Sequence, residues 1–577
     1  LIAVAFMVKG RFEDAQATVK PWDSFVYNKL LELGKQPPPH PEPGASQIVG
    51  GYVKEPTPGL KKWVVTLDLA SLYPNIVRTL NMSPETIVDR GDPIIEQILR
   101  GDDITPRNGL AIAANGSTYR QDFVGVIPML MAYLLDRRNA VKNEMKDAKR
   151  HQQEAHKAGD KQKEEEWKST AQRLNATQQA LKILANGGYG AIANRYFRYF
   201  DVAIAEGITM TGQVIIRFIG EKISTKMNEL LETQGIDYVI GSDTDSCMTS
   251  IAGFMEGYIE ACGMPEDYNE LIDIADEFVE NNLEKEVLVP GFAELSAKLG
   301  SKKSTLSMKR EAIADRGLFR AKKHYVLQVW DNEGVRYAEP DLKMVGIETA
   351  RTTTPKICKD DIEEALKIIL NGTEEQLREA YKKWKLGFMS APVEQIAFPR
   401  GVNDTEKWDE GTENQGSSVF EDDITVAKAK KGAPPQVKAA LCYNHLCQVN
   451  GLKERDPIRS GSKLKFLYLK RNNPTGFNVV GFIDDLPREF GLDPWIDKNL
   501  QFEKALATPI ESFTSLVNWN VTKRATLTNE LFTEDVDYEQ EARKAEPIPV
   551  KTKVPKDKQP VIRKASSKPK PSVIDFD

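Results

Sequence analysis

Three observations predict a mixed fold of helices and antiparallel strands for this sequence. Two stretches read as strand, turn, strand: YVIGSDTDSCM at 238–248 and HYVLQVWDNEGVRYAEP at 324–340, the second turning at Asn332-Glu333-Gly334. A long charged stretch rich in alanine and glutamine covers 133–186 and is broken once, at Ala158-Gly159-Asp160. It reads as two long antiparallel helices joined by a tight turn. Residues from about 350 to 535 mix amphipathic helical stretches with charged, irregular loops.

The remaining elements follow in chain order. Residues 36–59 are dense in proline and glycine and read as an extended connector. KKWVVTLDLA, at 61–70, is β-branched and apolar, a buried strand with Asp68 at its end. The 133–186 region lacks a sustained apolar heptad, which argues against a coiled coil. From about 536 the chain is rich in lysine, proline and glutamate and is expected to be disordered. No internal repeat is present.

Composition narrows the class. A length of 577 residues corresponds to three or four folding units, and 41% hydrophobic with 28% charged residues indicates a soluble globular chain. No apolar run approaches the roughly 20 residues that span a bilayer. The opening LIAVAFMV is shorter still, and no small-residue cleavage pattern follows it. Five cysteines, scattered, make no disulfide framework. Cys442, His445 and Cys447 invite a metal reading but have no second pair at ligand spacing, so free thiols in a reducing cytoplasm are expected. The net charge of −6 gives no support by itself for a nucleic-acid partner, but lysines and arginines gather at 137–150, 302–323 and 551–570.

Asp68, Asp243 and Asp245 stand among apolar strand residues, where an isolated charge is costly. Carboxylates gathered there would repel one another, and an oxygen-rich site of this sort suits Mg²⁺. Two such ions can activate a hydroxyl and stabilise a departing pyrophosphate. Asp-x-Asp alone is weak evidence, since nucleotide-sugar transferases and ordinary turns also carry it.

The neighbouring residues strengthen the reading. Lys182, Asn186 and Tyr189 are spaced i, i+4, i+7 and share one helical face. A lysine and an amide there can hold phosphate oxygens, and a tyrosine ring can pack against a base pair. Gly190 leaves room for close approach. Arg137, Arg138 and Lys142 open the first helix, and antiparallel pairing brings them towards Lys182 as a cluster fit for a triphosphate. Each cation taken singly reads better as a solvated surface charge, and it is the convergent set that argues for a site. Tyr73, five residues after Asp68, is either a core aromatic or a ring whose position excludes a 2′-hydroxyl.

These segments together resemble the B-family DNA polymerases. DLASLYPNIV resembles the family's first palm motif, KILANGGYGAIAN its fingers-helix motif and GSDTDS its second palm motif, in the family's order. AKKHY at 321–325 is similar to the motif that contacts the primer-template duplex, and GGYVKEP at 50–56 resembles the connector into the palm. NMSPETI, YFRYFD and RYAEPDLKMVGIETARTTTPK resemble the replicative polymerases of tailed bacteriophages.

The resemblance implies an α+β right hand: an antiparallel-sheet palm, helical-hairpin fingers and a mixed, mostly helical thumb. Its parts would be a remnant and connector at 1–40, palm at 41–123, fingers at 124–194, palm at 195–348, thumb at 349–535 and a basic tail at 536–577. It implies primer extension with dNTPs, using two Mg²⁺ ions. Asp68 and Asp245 would bind the metals with the Leu69 carbonyl, and Asp243 would support them. Arg137 or Arg138, Lys182 and Asn186 would hold the triphosphate, with Lys142 auxiliary. Leu72 and Tyr73 would floor the sugar pocket, and Tyr189 and Gly190 would lie against the nascent pair. Gly50, Gly51, Lys322, Lys323 and Tyr325 would contact DNA, and Glu311 would be a secondary acidic residue.

Two departures stand out. The fingers motif reads NGGYG where the family usually has serine after the asparagine, and Gly187 and Gly188 should each loosen the helix by about 1 kcal/mol relative to alanine. The proofreading domain that normally precedes the palm is not expected in this chain. Either a separate polypeptide supplies it or the sequence is truncated. The only Asp-x-Glu considered for it, Asp331 and Glu333, reads as a surface turn. Eight Lys/Arg residues between Lys551 and Lys570 precede the ending VIDFD, which resembles the hydrophobic-acidic end by which phage replicative polymerases dock on a sliding clamp; the resemblance implies Ile574 and Phe576 as anchors, the alternative being a plain tail. No membrane partner is expected, and the location implied is the cytoplasm of a bacterial host. The competing classes are a catalytically inactive DNA-binding subunit and a nucleotide-sugar transferase.

Overall fold

The computed structural model describes residues 26–32, 34, 48–104, 106, 109–265, 267–348, 352–414 and 425–521. Residues 36–47 of the 36–59 connector and the tail with Ile574 and Phe576 lie outside the described residues. The class is α+β, and the chain divides into two compact units, fewer than its length suggests. The first falls within 1–56, 63–313 and 331–334, the second within 57–62, 314–330 and 335–577.

The first unit is built on an antiparallel sheet ordered β1 (Val53–Lys54), β5 (Val239–Asp243), β6 (Ser246–Ser250), β2 (Gly59–Leu69), with the start of β7 (Met308–Ala321) beyond. Residues Trp63 to Leu67 of β2 are all buried, so both faces of the strand are covered and its apolar run does not alternate. Strands β3 (Leu110–Ile112) and β4 (Thr118–Arg120) pair separately. Helix α1 (Leu72–Leu80) follows β2 directly, because Ser71 takes a left-handed turn (φ 49°) between them. Tyr73 therefore sits in the first turn of a helix.

Helices α2 (Val126–Lys157) and α3 (Lys161–Ile192) form the expected hairpin, turning at Ala158–Asp160, where the Asp160 carboxylate caps α3 by accepting from the Lys163 N–H. The seam of α2 runs Leu134, Val141, Met145, Ala148, Ala155, at spacings of seven, four, three and seven, and Ala171, Gln178, Ala185 and Gly188 are buried on α3. This narrow seam, mostly small or polar along α3, escapes a search for large apolar heptads. Helix α3 continues unbroken through Gly187 and Gly188.

Helix α4 (Val202–Leu230) is capped by Asp201, whose carboxylate accepts from the N–H groups of Ala203 (2.9 Å) and Ile204 (3.3 Å). Among the described residues it is the one helix apolar and long enough to cross a membrane, a run the sequence reading passed over. Its most apolar stretch is 72% buried, so it serves as the unit's central core helix. Helices α5 (Ala252–Cys262), α6 (Tyr268–Phe278) and α7 (Val289–Lys298) also belong to the unit.

Strands β8 (His324–Asn332) and β9 (Val335–Val345) form the second predicted hairpin, and their turn at 331–334 belongs to the first unit. There Arg310 of β7 is ion-paired with Asp276 of α6 (2.7 Å) and with the buried Asp331. The Arg310 N–H also donates to Glu284 (2.7 Å).

In the second unit the order continues β7-β8-β9, and a further sheet runs β10 (Phe398–Gly401), β13 (Lys463–Tyr468), β14 (Val479–Phe482). Strands β11 (Asp409–Asn414) and β12 (Thr425–Ala429) pair with each other. Helices α8 (Lys356–Asn371), α9 (Glu374–Ser390) and α10 (Pro435–Val449) contribute Ile362, Leu366, Phe388 and Leu441 to a core shared with Phe466, Phe482 and Phe513. The strands at 398–482 are absent from the sequence reading because each is only four to six residues long and framed by turn-forming residues. Cys247, Cys358, Cys442 and Cys447 are buried and Cys262 is exposed.

Replacing Arg310 with methionine leaves the buried Asp331 carboxylate without its cation. A loss of about 3–5 kcal/mol is expected on denaturant unfolding of the full chain, against less than about 1 kcal/mol for Lys142→Gln at a surface pair.

Candidate active site

The aspartates are brought together by strand register. Ser246, the first residue of β6, is the cross-strand partner of Asp68 on one side and of Asp243 on the other. Asp68 and Asp243 thus flank one position of the sheet at the same end. Asp245 differs from the sequence reading: it lies not within a strand but inside the two-residue turn between β5 and β6. Thr244, the other turn residue, is left-handed (φ 59°); its N–H donates to the Tyr52 carbonyl (3.0 Å) and its hydroxyl to the Asp243 carboxylate (3.2 Å). The Asp245 carbonyl accepts from the Leu69 N–H at 2.7 Å, joining the turn to the end of β2 beside Asp68.

Burial raises the Asp245 carboxyl above the usual carboxylate range. Its own backbone N–H and Lys182 oppose the shift, while Asp243 and Glu311 push it further up. A carboxylate crowded by two others and only partly relieved by a lysine is an incomplete electrostatic arrangement. Hard oxygen donors in mutual repulsion fit a divalent cation. No group of three or more His, Cys, Asp or Glu side chains converges as metal ligands among the described residues, so the donor chemistry, with two carboxylates and the backbone, carries this fit.

Tyr73 and Tyr189 meet beside the aspartates, their ring centroids 4.6 Å apart and tilted by 43°. Burial first, then Tyr189 and Asp245, push the Tyr73 phenol up to about 12, so it stays neutral and can donate. Leu72, which precedes it on α1, is buried. The connector passes close by. A methyl group added at Gly51 would come within 2.9 Å of the Thr244 side chain and 3.1 Å of the Tyr73 hydroxyl, so glycine permits this approach. The Gly50 carbonyl accepts from Gln213 of α4 (2.7 Å) and the Val49 carbonyl from Thr209 (2.6 Å), which fixes the connector's course. Gln213 and Thr244 were not anticipated: Gln213 lies in no recognisable pattern, and Thr244, inside GSDTDS, was passed over between the two aspartates.

Lys182 and Asn186 are exposed on α3 with Tyr189 half-buried, and open space faces Gly190. On α2 the structure separates the two arginines. Arg137 points to solvent, while Arg138 is half-buried and its Nε is shielded without a hydrogen-bond partner. Burial lowers the Arg138 guanidinium below its ordinary range, with Glu333 opposing. Lys142 is paired with Glu333 at 3.2 Å. Burial alone would raise the Glu333 carboxyl, but Lys142, Lys146 and Lys182 together hold it below the usual range. Four cations from two helices thus share one field. Lys146 was missed, although its i+4 spacing from Lys142 was available.

Glu311, on β7, accepts a hydrogen bond through its carbonyl from the Glu333 N–H at 2.6 Å. Glu333 occupies the expected turn, but Asp331 lies in β8 and is buried rather than at a surface turn; both are engaged by cations. Lys322 and Lys323 form the exposed turn between β7 and β8, with Lys323 left-handed (φ 58°). Tyr325 is buried, its ring stacked on Phe319 at 5.5 Å. These three belong to the second unit, whereas the aspartates and the four cations belong to the first.

The sequence profile of DNA polymerase family B matches residues 25–396. The DNA-directed DNA polymerases of Enterobacteria phage T4 and Escherichia phage RB69 are 28% and 29% identical to this chain, each over 91% of it. A DNA polymerase of Pyrococcus glycovorans is 29% identical over 56% of the chain and 34% of its own length. The chain spans 62% and 61% of the two phage proteins. With the profile covering more than half of the chain and the three aspartates gathered at one sheet end, this chain belongs to DNA polymerase family B.

Proposed function

We propose that this chain carries the polymerase activity of a DNA-directed DNA polymerase, extending a primer 3′ end with dNTPs by two-metal nucleotidyl transfer. The observation that carries the reading is the convergence of Asp68 and Asp243 on Ser246, with Asp245 in the adjoining turn. Asp68, Asp245 and the Leu69 carbonyl would hold two Mg²⁺ ions, with Asp243 in support and Glu311 as a secondary acidic group. When bound, the ions lower the pKa of the attacking hydroxyl and neutralise charge on the departing pyrophosphate.

The chain's own residues supply positioning. Arg138, with its unpartnered Nε, is the better of the two arginines for a phosphate oxygen, and Lys182 and Asn186 would hold the rest of the triphosphate. The Tyr73 ring, held against Tyr189, would fill the space a 2′-hydroxyl needs, and the open space at Gly190 would admit the nascent base pair. Gly50 and Gly51 would lie along the template, and Lys322 and Lys323, with Tyr325 behind them, would meet backbone phosphates. The palm, fingers and thumb would follow the ranges read from the sequence. A sliding clamp at Ile574 and Phe576 and a separate exonuclease-bearing polypeptide are further proposed partners. Activity would take place in the cytoplasm of a bacterial host.

Primer extension by the full chain with Mg²⁺ tests the reading. Asp245→Ala is expected to reduce the rate on the order of a thousandfold; an unchanged rate would sink it. Lys182→Ala should weaken dNTP binding about tenfold or more in single-turnover extension, as loss of a charged hydrogen bond predicts. Tyr73→Ala should raise ribonucleotide incorporation relative to deoxyribonucleotide by about tenfold or more. Unaltered sugar selectivity would return Tyr73 to a packing role.

A further inference from the structure

The β8–β9 turn places a carboxylate where the proposed nucleotide site needs cations free. Glu333 and Gly334 form a two-residue turn with φ of 50° and 82°. Asparagine, aspartate or glycine is the usual first residue of such a turn, because a longer side chain is strained at positive φ. Glutamate is therefore a locally unfavourable choice, and departures of this kind gather at functional positions. Its backbone is pinned on both sides. The Glu333 N–H donates to the Glu311 carbonyl at 2.6 Å, and the Gly334 N–H donates to the Asp331 carboxylate at 2.9 Å. Asp331 is itself held by Arg310. The turn is rigidly presented, and the side chain it presents pairs with Lys142 at 3.2 Å.

We propose that Glu333 is a built-in counter-anion of the triphosphate site, occupying Lys142 until an incoming polyphosphate displaces it, and so sets how tightly dNTP and pyrophosphate are held. This rests on the reading of Arg138, Lys142 and Lys182 as the triphosphate-holding set. The depressed carboxyl of Glu333 agrees with it, since Lys142, Lys146 and Lys182 all contribute to that shift. Glu333 stays ionised near neutral pH, so the competition is between two anions for the same cations. A single carboxylate is a weak competitor, because the pair is partly exposed, with Lys142 at 32% and Glu333 at 61% of side-chain surface. A ligand bearing several charges displaces it, and one bearing a single charge gains little. The same competition favours departure of pyrophosphate after transfer, because the carboxylate is at hand to retake Lys142.

The test is single-turnover primer extension by the full chain with Mg²⁺, comparing Glu333→Gln with the parent. The dNTP dissociation constant should fall about two- to fivefold, the range an exposed pair supports. The inhibition constant of added pyrophosphate should fall by a similar factor. Glu333→Asn, better suited to the turn, should act in the same direction, and the effect of Glu333→Gln should vanish in a Lys142→Gln background. An unchanged or raised dNTP dissociation constant in both Glu333 variants would overturn the inference and make Glu333 a brace for α2. If Lys182→Ala still weakens dNTP binding in that case, the site reading survives. If Lys182→Ala has no effect either, both readings fall.

Discussion

Negative charge concentrated at one end of a sheet is the constraint around which the first unit is organised. Hydrogen-bond register forces Asp68 and Asp243 to opposite flanks of Ser246, and the turn after Asp243 brings Asp245 to the end of β2. Side chains on paired strands cannot move apart without breaking the ladder, so the repulsion is built in. The surroundings answer it with positive charge from α3, with the hydroxyl of Thr244 and with a neutral phenol at Tyr73. A site balanced in this way favours added positive charge beside its carboxylates.

The opposite arrangement lies beside it. Arg138, Lys142, Lys146 and Lys182 form a cationic field with too little fixed counter-charge, and Glu333 is the carboxylate that enters it. The two fields are joined mechanically as well as electrically. Glu311 lies in the acidic cluster through its side chain and holds the Glu333 turn through its carbonyl, while Arg310 next to it anchors Asp331. Two adjacent residues of β7 thus relate the acidic and the basic halves of the site.

Much of this was legible in the chain itself. Asp68, Asp243 and Asp245 stood out because a carboxylate inside an apolar strand is anomalous, and Lys182, Asn186 and Tyr189 because a helix puts them on one face. The choice between Arg137 and Arg138 was not legible. Consecutive residues point about 100° apart, and the phase of α2 is set by a seam of valine, methionine and alanine that carries little pattern. Glu333 was correctly placed in a turn, but its partner lies 191 residues away, a distance over which local patterns say nothing. The short strands of the second unit were hidden because turns and lysines interrupt them. Helix α4 passed unremarked because its charged residues break its apolar run without preventing its burial.

The α2–α3 hairpin has a consequence as a lever. Thirty-two residues of helix extend about 48 Å, yet Arg138 and Lys142 lie within about 25 Å of the start of α2. A rotation of 5° about the hairpin's base would carry these cations by roughly 1–2 Å and the Ala158–Asp160 turn by roughly 4 Å. Whatever grips or crowds that distant turn acts on Arg138 and Lys142 with mechanical advantage, a small force at the tip opposing a larger one at the base.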